Sequence, residues 1–137
     1  MDTTGKKVFK LSIRIPYAHT DQMGFIYYAN YLVYFEMARS EFLREVGLPY
    51  TDLEKRGIML PVVVAHCEYK KPAHFDDLIE VRSCCTEFRG TRLHIEYEIW
   101  RGDDLIATGF TEHVCVGKDG KVLRPVPELR RLVEPAR

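Results

Sequence analysis

The chain has 137 residues, with 20 Lys and Arg against 20 Asp and Glu, so its formal net charge is zero. Hydrophobic residues make up 46% and charged residues 29%, the balance of one soluble globular domain, expected to span residues 1–137. Zero net charge removes the general electrostatic footprint of a nucleic-acid binder, and the richest apolar run, Leu60-Pro-Val-Val-Val-Ala65, is too short to span a membrane.

The polar start, Met-Asp-Thr-Thr-Gly-Lys-Lys, has no apolar segment like a signal peptide's, which points to a cytoplasmic protein. Cys67, Cys84, Cys85 and Cys115 form no C-x-x-C pair and read as small buried hydrophobes in strands. Cys84 and Cys85 are neighbours, so in a strand they face opposite sides and are poorly placed to bond each other. His19, His66, His74, His94 and His113 lack metal-ligand spacing, and neither a metal nor a cofactor is expected.

In chain order, Phe9, Leu11, Ile13 and Ile15 alternate with Lys10, Ser12 and Arg14, the pattern of a half-buried strand ended by Pro16. From Ala29 to Val46 the period becomes helical, with Gly47 as the stop and Pro49 beyond it. The first half of that helix, Tyr31-Leu-Val-Tyr-Phe35, is apolar nearly all round, so the helix is expected to be enclosed. Thr51 to Arg56 reads as a brief second helix closed by Gly57. Strand-like segments follow at Leu60 to Lys70, Leu78 to Phe88, Leu93 to Ile99 and Leu105 to Val116. Short hairpin-like connections fall at Arg89-Gly90-Thr91, Arg101 to Asp104 and Lys118-Asp119-Gly120, and Pro127 to Val133 has the pattern of a terminal helix. One strand, a long enclosed helix and four antiparallel strands make an α+β fold in which a five-stranded antiparallel sheet curls around the helix. The sheet's other face and its edges then need cover, and at least a dimer is expected.

The loop before the helix is the most unusual segment: Tyr17-Ala-His-Thr-Asp21-Gln-Met-Gly24-Phe-Ile-Tyr-Tyr28-Ala-Asn-Tyr31. It places a carboxylate, Asp21, ahead of a helix start crowded with aromatics, and Gly24 allows a tight turn or a close backbone approach. Helix N-termini present free N–H groups that stabilise negative charge developing on a carbonyl oxygen. An acid beside such a helix end, walled by rings, suits acyl transfer. On the residues alone a plainer reading also stands, in which Asp21 caps a turn and the rings are core.

D-x-x-G at Asp21 to Gly24, the run Tyr28-Ala-Asn-Tyr31-Leu, Glu36 and Ala38-Arg-Ser-Glu41 resemble the 4-hydroxybenzoyl-CoA thioesterase family of hotdog-fold acyl-CoA thioesterases. The likeness is strongest to the branch encoded near the Tol-Pal system, and it continues through Gly47-Leu48, Leu60-Pro61, Tyr69 to Pro72 and Ala73 to Asp77. It covers nearly the whole chain. The resemblance implies a hotdog fold and hydrolysis of an acyl-CoA thioester to free acid and CoA. Asp21 would be the catalytic carboxylate, either attacking the thioester carbonyl or activating water. The backbone N–H of Tyr28 would polarise that carbonyl, and Gly24 would let the loop pack against acyl-pantetheine.

The same resemblance makes Glu36, Tyr27, Tyr31, Arg89 and Arg92 substrate-binding candidates. Glu36 matches an acid that in aromatic-substrate members is an Asp meeting the substrate hydroxyl; the longer side chain departs from that pattern, and a buried Glu36 paired with Arg39 or satisfied by backbone is the competing reading. Arg89 aligns with an arginine that meets CoA phosphates in some members, and Arg92 stands near it. Lys70, Lys71 and His74 are further phosphate candidates, and His19 could tune Asp21. The family's active site lies at a subunit interface, implying a homodimer or homotetramer. Two other functions compete. A hydratase or dehydratase of this fold would carry H-F-P-x-x-P or D-x-N-x-x-H, and neither occurs here. A non-catalytic acyl-CoA or partner-binding module would leave the acidity of Asp21 without a reason.

Overall fold

A computed structural model describes residues 1–124 and 127–133. Strand β1 (Phe9–Arg14) leads through a 3-10 turn at Tyr17–His19 and the Asp21 loop into α1 (Asn30–Glu45) and α2 (Tyr50–Lys55). Strands β2 (Val62–Tyr69), β3 (Leu78–Arg89), β4 (Arg92–Arg101), β5 (Asp104–Val116) and β6 (Val122–Leu123) follow, then a 3-10 turn at Pro127–Leu132. All neighbouring strands are antiparallel, in the order β1-β3-β4-β5-β2, with the two-residue β6 attached to β5. The expected elements are present: α1 lies within Ala29 to Val46, α2 starts one residue before the anticipated Thr51, and the anticipated terminal helix is the 3-10 turn at Pro127–Leu132. The sequence pattern missed β6 and the first 3-10 turn, both too short to show a hydrophobic period.

The order of strands, unlike their positions, is not local. β3, β4 and β5 form a meander joined by tight hairpins, whereas β2 skips its successor and pairs with β5, from Val62 opposite His113 to Tyr69 opposite Ala107. That pairing makes β2 an edge strand and carries its C-terminal end to the start of α1.

Helix α1 packs on the concave face through Tyr31, Tyr34, Phe35, Ala38, Phe42 and Leu43, a spacing of three and four that forms one stripe. Phe35 stacks on Tyr97 of β4 with ring centroids 4.3 Å apart. The contact needs Gly109 on β5: a Cβ there would stand 2.6 Å from Phe35 Cε2 and also meet the His66 carbonyl. At its C-terminus α1 closes with Leu48 N–H donating to the Leu43 carbonyl at 2.8 Å, past the left-handed Gly47.

The expectation of a fully enclosed helix is corrected. One chain covers only one face of α1, and Leu32, Val33 and Met37 on the other face remain 41%, 41% and 40% exposed. Val62, Val63 and Val64 of β2 are exposed as well. A stripe apolar on both sides of a helix needs two surfaces, and a single sheet supplies one. Cys84, Cys85 and Cys115 are buried as anticipated, while Cys67 is only half-buried.

A polar chain crosses this core. Arg39, 7% exposed, donates from Nε to Tyr50 Oη at 3.0 Å and from Nη1 to Tyr97 Oη at 3.2 Å. Tyr97 Oη lies 2.8 Å from Thr111 Oγ1, which lies 2.8 Å from His113 Nε2, and His113 Nδ1 lies 3.0 Å from the Leu60 carbonyl oxygen. A carbonyl only accepts, so His113 Nδ1–H donates to Leu60; with the imidazole neutral, Thr111 donates to His113 Nε2, and Tyr97, which accepts from Arg39, donates to Thr111. Burial, reinforced by the nearby Arg39 charge, pushes the His113 imidazole down to about 4.

Candidate active site

The Asp21 loop is a closed, self-capped turn. Asp21 N–H donates to the Phe25 carbonyl at 2.8 Å, and Gly24 N–H donates to the Asp21 carbonyl at 3.0 Å. The side chain completes it: Met23 N–H and Phe25 N–H donate to Asp21 Oδ1 at 2.9 and 3.2 Å. The other oxygen, Oδ2, accepts nothing among the described residues. Thus Asp21 does cap a turn, and it does so with only half of its carboxylate. Gly24 sits at φ +81 with open space where a Cβ would point, so in the single chain it serves the turn and no close contact.

Beyond the loop the backbone is pinned on both sides. Ile26 N–H donates to Ala73, and Tyr27 N–H and Asn30 Nδ2 both donate to the His19 carbonyl, at 2.9 and 3.0 Å. The His19 ring contacts Tyr34 Oη at 2.9 Å through Nδ1. The imidazole is thus engaged on the helix and makes no hydrogen bond to Asp21. The first helical turn then starts, with the Tyr27, Tyr28 and Ala29 carbonyls accepting from Asn30, Tyr31 and Leu32 at 2.9, 3.3 and 3.3 Å. The N–H groups of Tyr28 and Ala29 have no acceptor among the described residues, as the geometry of a helix start demands.

Asp21, Tyr28, Tyr31, Tyr69, Lys70 and Lys71 share one cleft of about 320 Å³, together with Met23, Phe25, Ile26 and Pro72. Tyr31 and Tyr69 meet edge to face at 4.9 Å. Desolvation pushes the Tyr31 hydroxyl up to about 12, with the Asp21 charge adding to the shift, so it remains a neutral donor. Lys71 is tied to Asp104 at 2.8 Å, whereas Lys70 forms no ion pair among the described residues.

Other candidates stand elsewhere. Tyr27 packs on Tyr28 at 4.8 Å but does not line the cleft. Glu36 is exposed and makes no bond to Arg39, correcting the expected buried pair; it faces a second cleft of about 610 Å³ with Arg39, Tyr50 and Leu60. Arg89 and Arg92 flank the β3–β4 hairpin, each held by a carboxylate: Glu87 at 2.9 Å and Glu112 at 2.8 Å. The cleft lies by the opposite end of β4, a strand of ten residues, and at about 3.3 Å per residue some 30 Å of strand separates them. Within one chain these arginines do not converge with Lys70 on a single ligand. His74 pairs loosely with Asp77 at 3.7 Å. Tyr69 was missed as a site residue. Its sequence signals are its position at the end of a strand and its place in the run Tyr69 to Pro72, which carries part of the family likeness.

Against this geometry, the family model described as the thioesterase-like superfamily matches residues 15–131. The chain belongs to the thioesterase-like superfamily. It is a thioester hydrolase with the hotdog fold of that family. YneP of Bacillus subtilis (strain 168) is 36% identical over 113 residues, 82% of this chain and 82% of its own. The acyl-CoA thioester hydrolase YbgC of Escherichia coli O157:H7 is 34% identical over 93 residues, 68% of this chain and 67% of its own. The crystal structure of the DHNA-CoA thioesterase from Staphylococcus aureus superposes with a TM-score of 0.82 at 34% identity, covering 85% of this chain and 80% of that one. No described helix of this chain is long and apolar enough to cross a membrane.

Proposed function

We propose that this enzyme hydrolyses an acyl-CoA thioester to the free acid and CoA, with Asp21 as the catalytic carboxylate and the Tyr28 backbone N–H as oxyanion donor. One observation carries the reading: Asp21, with a carboxylate oxygen that accepts nothing among the described residues, and Tyr28, whose helix-start N–H has no acceptor among them, border the same aromatic cleft. A thioester carbonyl is already activated, so a base or nucleophile and a fixed donor suffice for its hydrolysis. As attack proceeds, charge builds on the carbonyl oxygen against the Tyr28 N–H and the CoA thiolate departs. Asp21 either adds to the carbonyl, giving an anhydride that water opens, or takes a proton from the attacking water. Lys70, which lines the cleft and forms no ion pair among the described residues, supports a role in holding CoA phosphates.

The active unit in this reading is a homodimer, or a homotetramer of paired dimers, with the site at the subunit interface. The exposed apolar side chains of Leu32, Val33 and Met37 on α1 and of Val62–Val64 on β2 support it, and so does the size of the cleft, near the low end of the roughly 300–1,000 Å³ usual for ligand pockets. A second copy would also bring its own Glu36, Tyr27, Arg89 and Arg92 toward a cleft that this chain alone leaves without them. The free thiols of Cys67, Cys84 and Cys85 accord with a reducing, cytoplasmic setting.

The test is release of free thiol from acetyl-, hexanoyl-, palmitoyl-, benzoyl-, phenylacetyl- and hydroxybenzoyl-CoA by the wild type and Asp21→Asn. The reading expects turnover on at least one ester and its collapse in the variant. Turnover by Asp21→Asn at the wild-type rate removes Asp21 from the chemistry. CoA binding with no thiol release from any ester favours a binding module.

A further inference from the structure

The Tyr28 carbonyl has two donors. Tyr31 N–H reaches it at 3.3 Å, a long first-turn bond, and Tyr69 Oη reaches it at 3.0 Å. Tyr69 belongs to β2 and Tyr28 to the helix start, 41 residues earlier in the chain. The register of Tyr69 is set by its pairing with Ala107 of β5, and its ring is flanked by those of Tyr31 at 4.9 Å and Tyr28 at 6.5 Å. The hydroxyl is thus a rigid strut from the sheet to one peptide group at the cleft. Desolvation pushes it up to about 12, so it stays a donor through the neutral range.

A peptide group is planar, so holding the Tyr28 carbonyl also holds the N–H on the other side of that plane, which belongs to Ala29. Ala29 has helical backbone angles, φ −67 and ψ −22, and its N–H is one of the two without an acceptor. Successive N–H groups at a helix start point back along the axis, on the same side as the Tyr28 N–H. Without the strut, the orientation of this peptide would rest on one long first-turn hydrogen bond.

We propose that Tyr69 is a positioning residue for the hydrolysis: its hydroxyl, clamped on the Tyr28 carbonyl, aims the Ala29 N–H as a second oxyanion donor beside that of Tyr28. The inference rests on the thioesterase reading above and adds to it a residue from the far edge of the sheet. A preorganised donor stabilises the transition state more than the ground state, so its loss appears in kcat and leaves KM alone. A residue that only packs the cleft would change KM or stability instead.

The experiment compares wild type, Tyr69→Phe and Asp21→Asn on whichever CoA ester of the panel the wild type turns over fastest, with thermal midpoints measured alongside. Tyr69→Phe keeps the ring contacts and removes the clamp. The expected result is a fall in kcat of about tenfold, with KM within about twofold of wild type and the midpoint unchanged. An unchanged kcat overturns the proposal. So does a rise in KM accompanied by a lowered midpoint, which assigns Tyr69 to packing. The two readings fail separately. Wild-type kcat in Tyr69→Phe beside collapse in Asp21→Asn removes the clamp alone, whereas the reverse removes Asp21 and leaves the clamp standing.

Discussion

Two regions of this molecule handle polar groups in opposite ways. In the chain from Arg39 through Tyr97, Thr111 and His113 to the Leu60 carbonyl, each link has a partner and each proton a forced place. At the Asp21 cleft, one carboxylate oxygen and the Tyr28 N–H have no partner among the described residues, beside a loop tied together by the other Asp21 oxygen and by the Asp21 and Phe25 carbonyls. An unpaired polar group in the core is costly because no water can reach it, and at the cleft water or substrate takes the vacant position. The first arrangement serves stability and leaves nothing for a ligand. The second keeps its binding capacity in reserve, held rigid by the loop around it.

The contrast breaks most sharply at Asp21. Asp21→Asn retains an oxygen for the Met23 and Phe25 N–H groups, so the loop should survive while the base or nucleophile is lost. The expected outcome is a fall in kcat of about 10²–10⁴, with KM and the unfolding midpoint near wild type, measured by thiol release and thermal melting.

The buried chain should respond in stability and not in turnover. His113 takes up a proton at about 4 when folded, against an ordinary value of 6.5, so between these pH values the unfolded chain binds more protons. Its contribution is complete above about pH 6.5 and is lost as the pH falls towards 4, where it costs about 3 kcal/mol. Urea unfolding at a series of pH values should show this slope in the wild type and a flatter one in His113→Gln. A smaller effect is expected of Thr111→Val, which strands the Tyr97 hydroxyl and His113 Nε2 in the core: a loss of about 2 kcal/mol in urea unfolding, with kcat per folded molecule unchanged. The smallest is Tyr28→Phe. The proposed role of this residue belongs to its main chain and its ring is retained, so kcat should stay within about twofold of wild type. A large loss there would assign the chemistry to the phenol.

Most of the fold was legible in residue order. Alternation at Phe9 to Ile15 and at Leu93 to Ile99, the helical period ended by Gly47 and the hairpin turns at Gly90 and Gly102 are local signals, read over a few residues. The Asp21 to Tyr31 segment stood out for the same reason: its acid, glycine and rings are adjacent in the chain. Tyr69 did not stand out as a site residue, since nothing in the run Tyr69 to Pro72 tells which distant backbone group its hydroxyl reaches. Arg89 and Arg92 looked compatible with Lys70 and Lys71 because sequence gives no distance along a sheet.

By itself, then, the sequence determined which segments become strands and helix, and which loop carries the carboxylate. The tertiary structure alone decided what meets that loop. β2 could have paired with β3, its successor; it pairs with β5 instead, and this choice brings Tyr69 to the Tyr28 carbonyl and leaves the arginine hairpin at the far end. The direction of the buried hydrogen bonds was likewise decided there, since four elements must meet before an arginine and a carbonyl can set it. Local patterns follow from backbone geometry and side-chain burial, whereas strand order and long-range contacts depend on how all the apolar faces are covered at once.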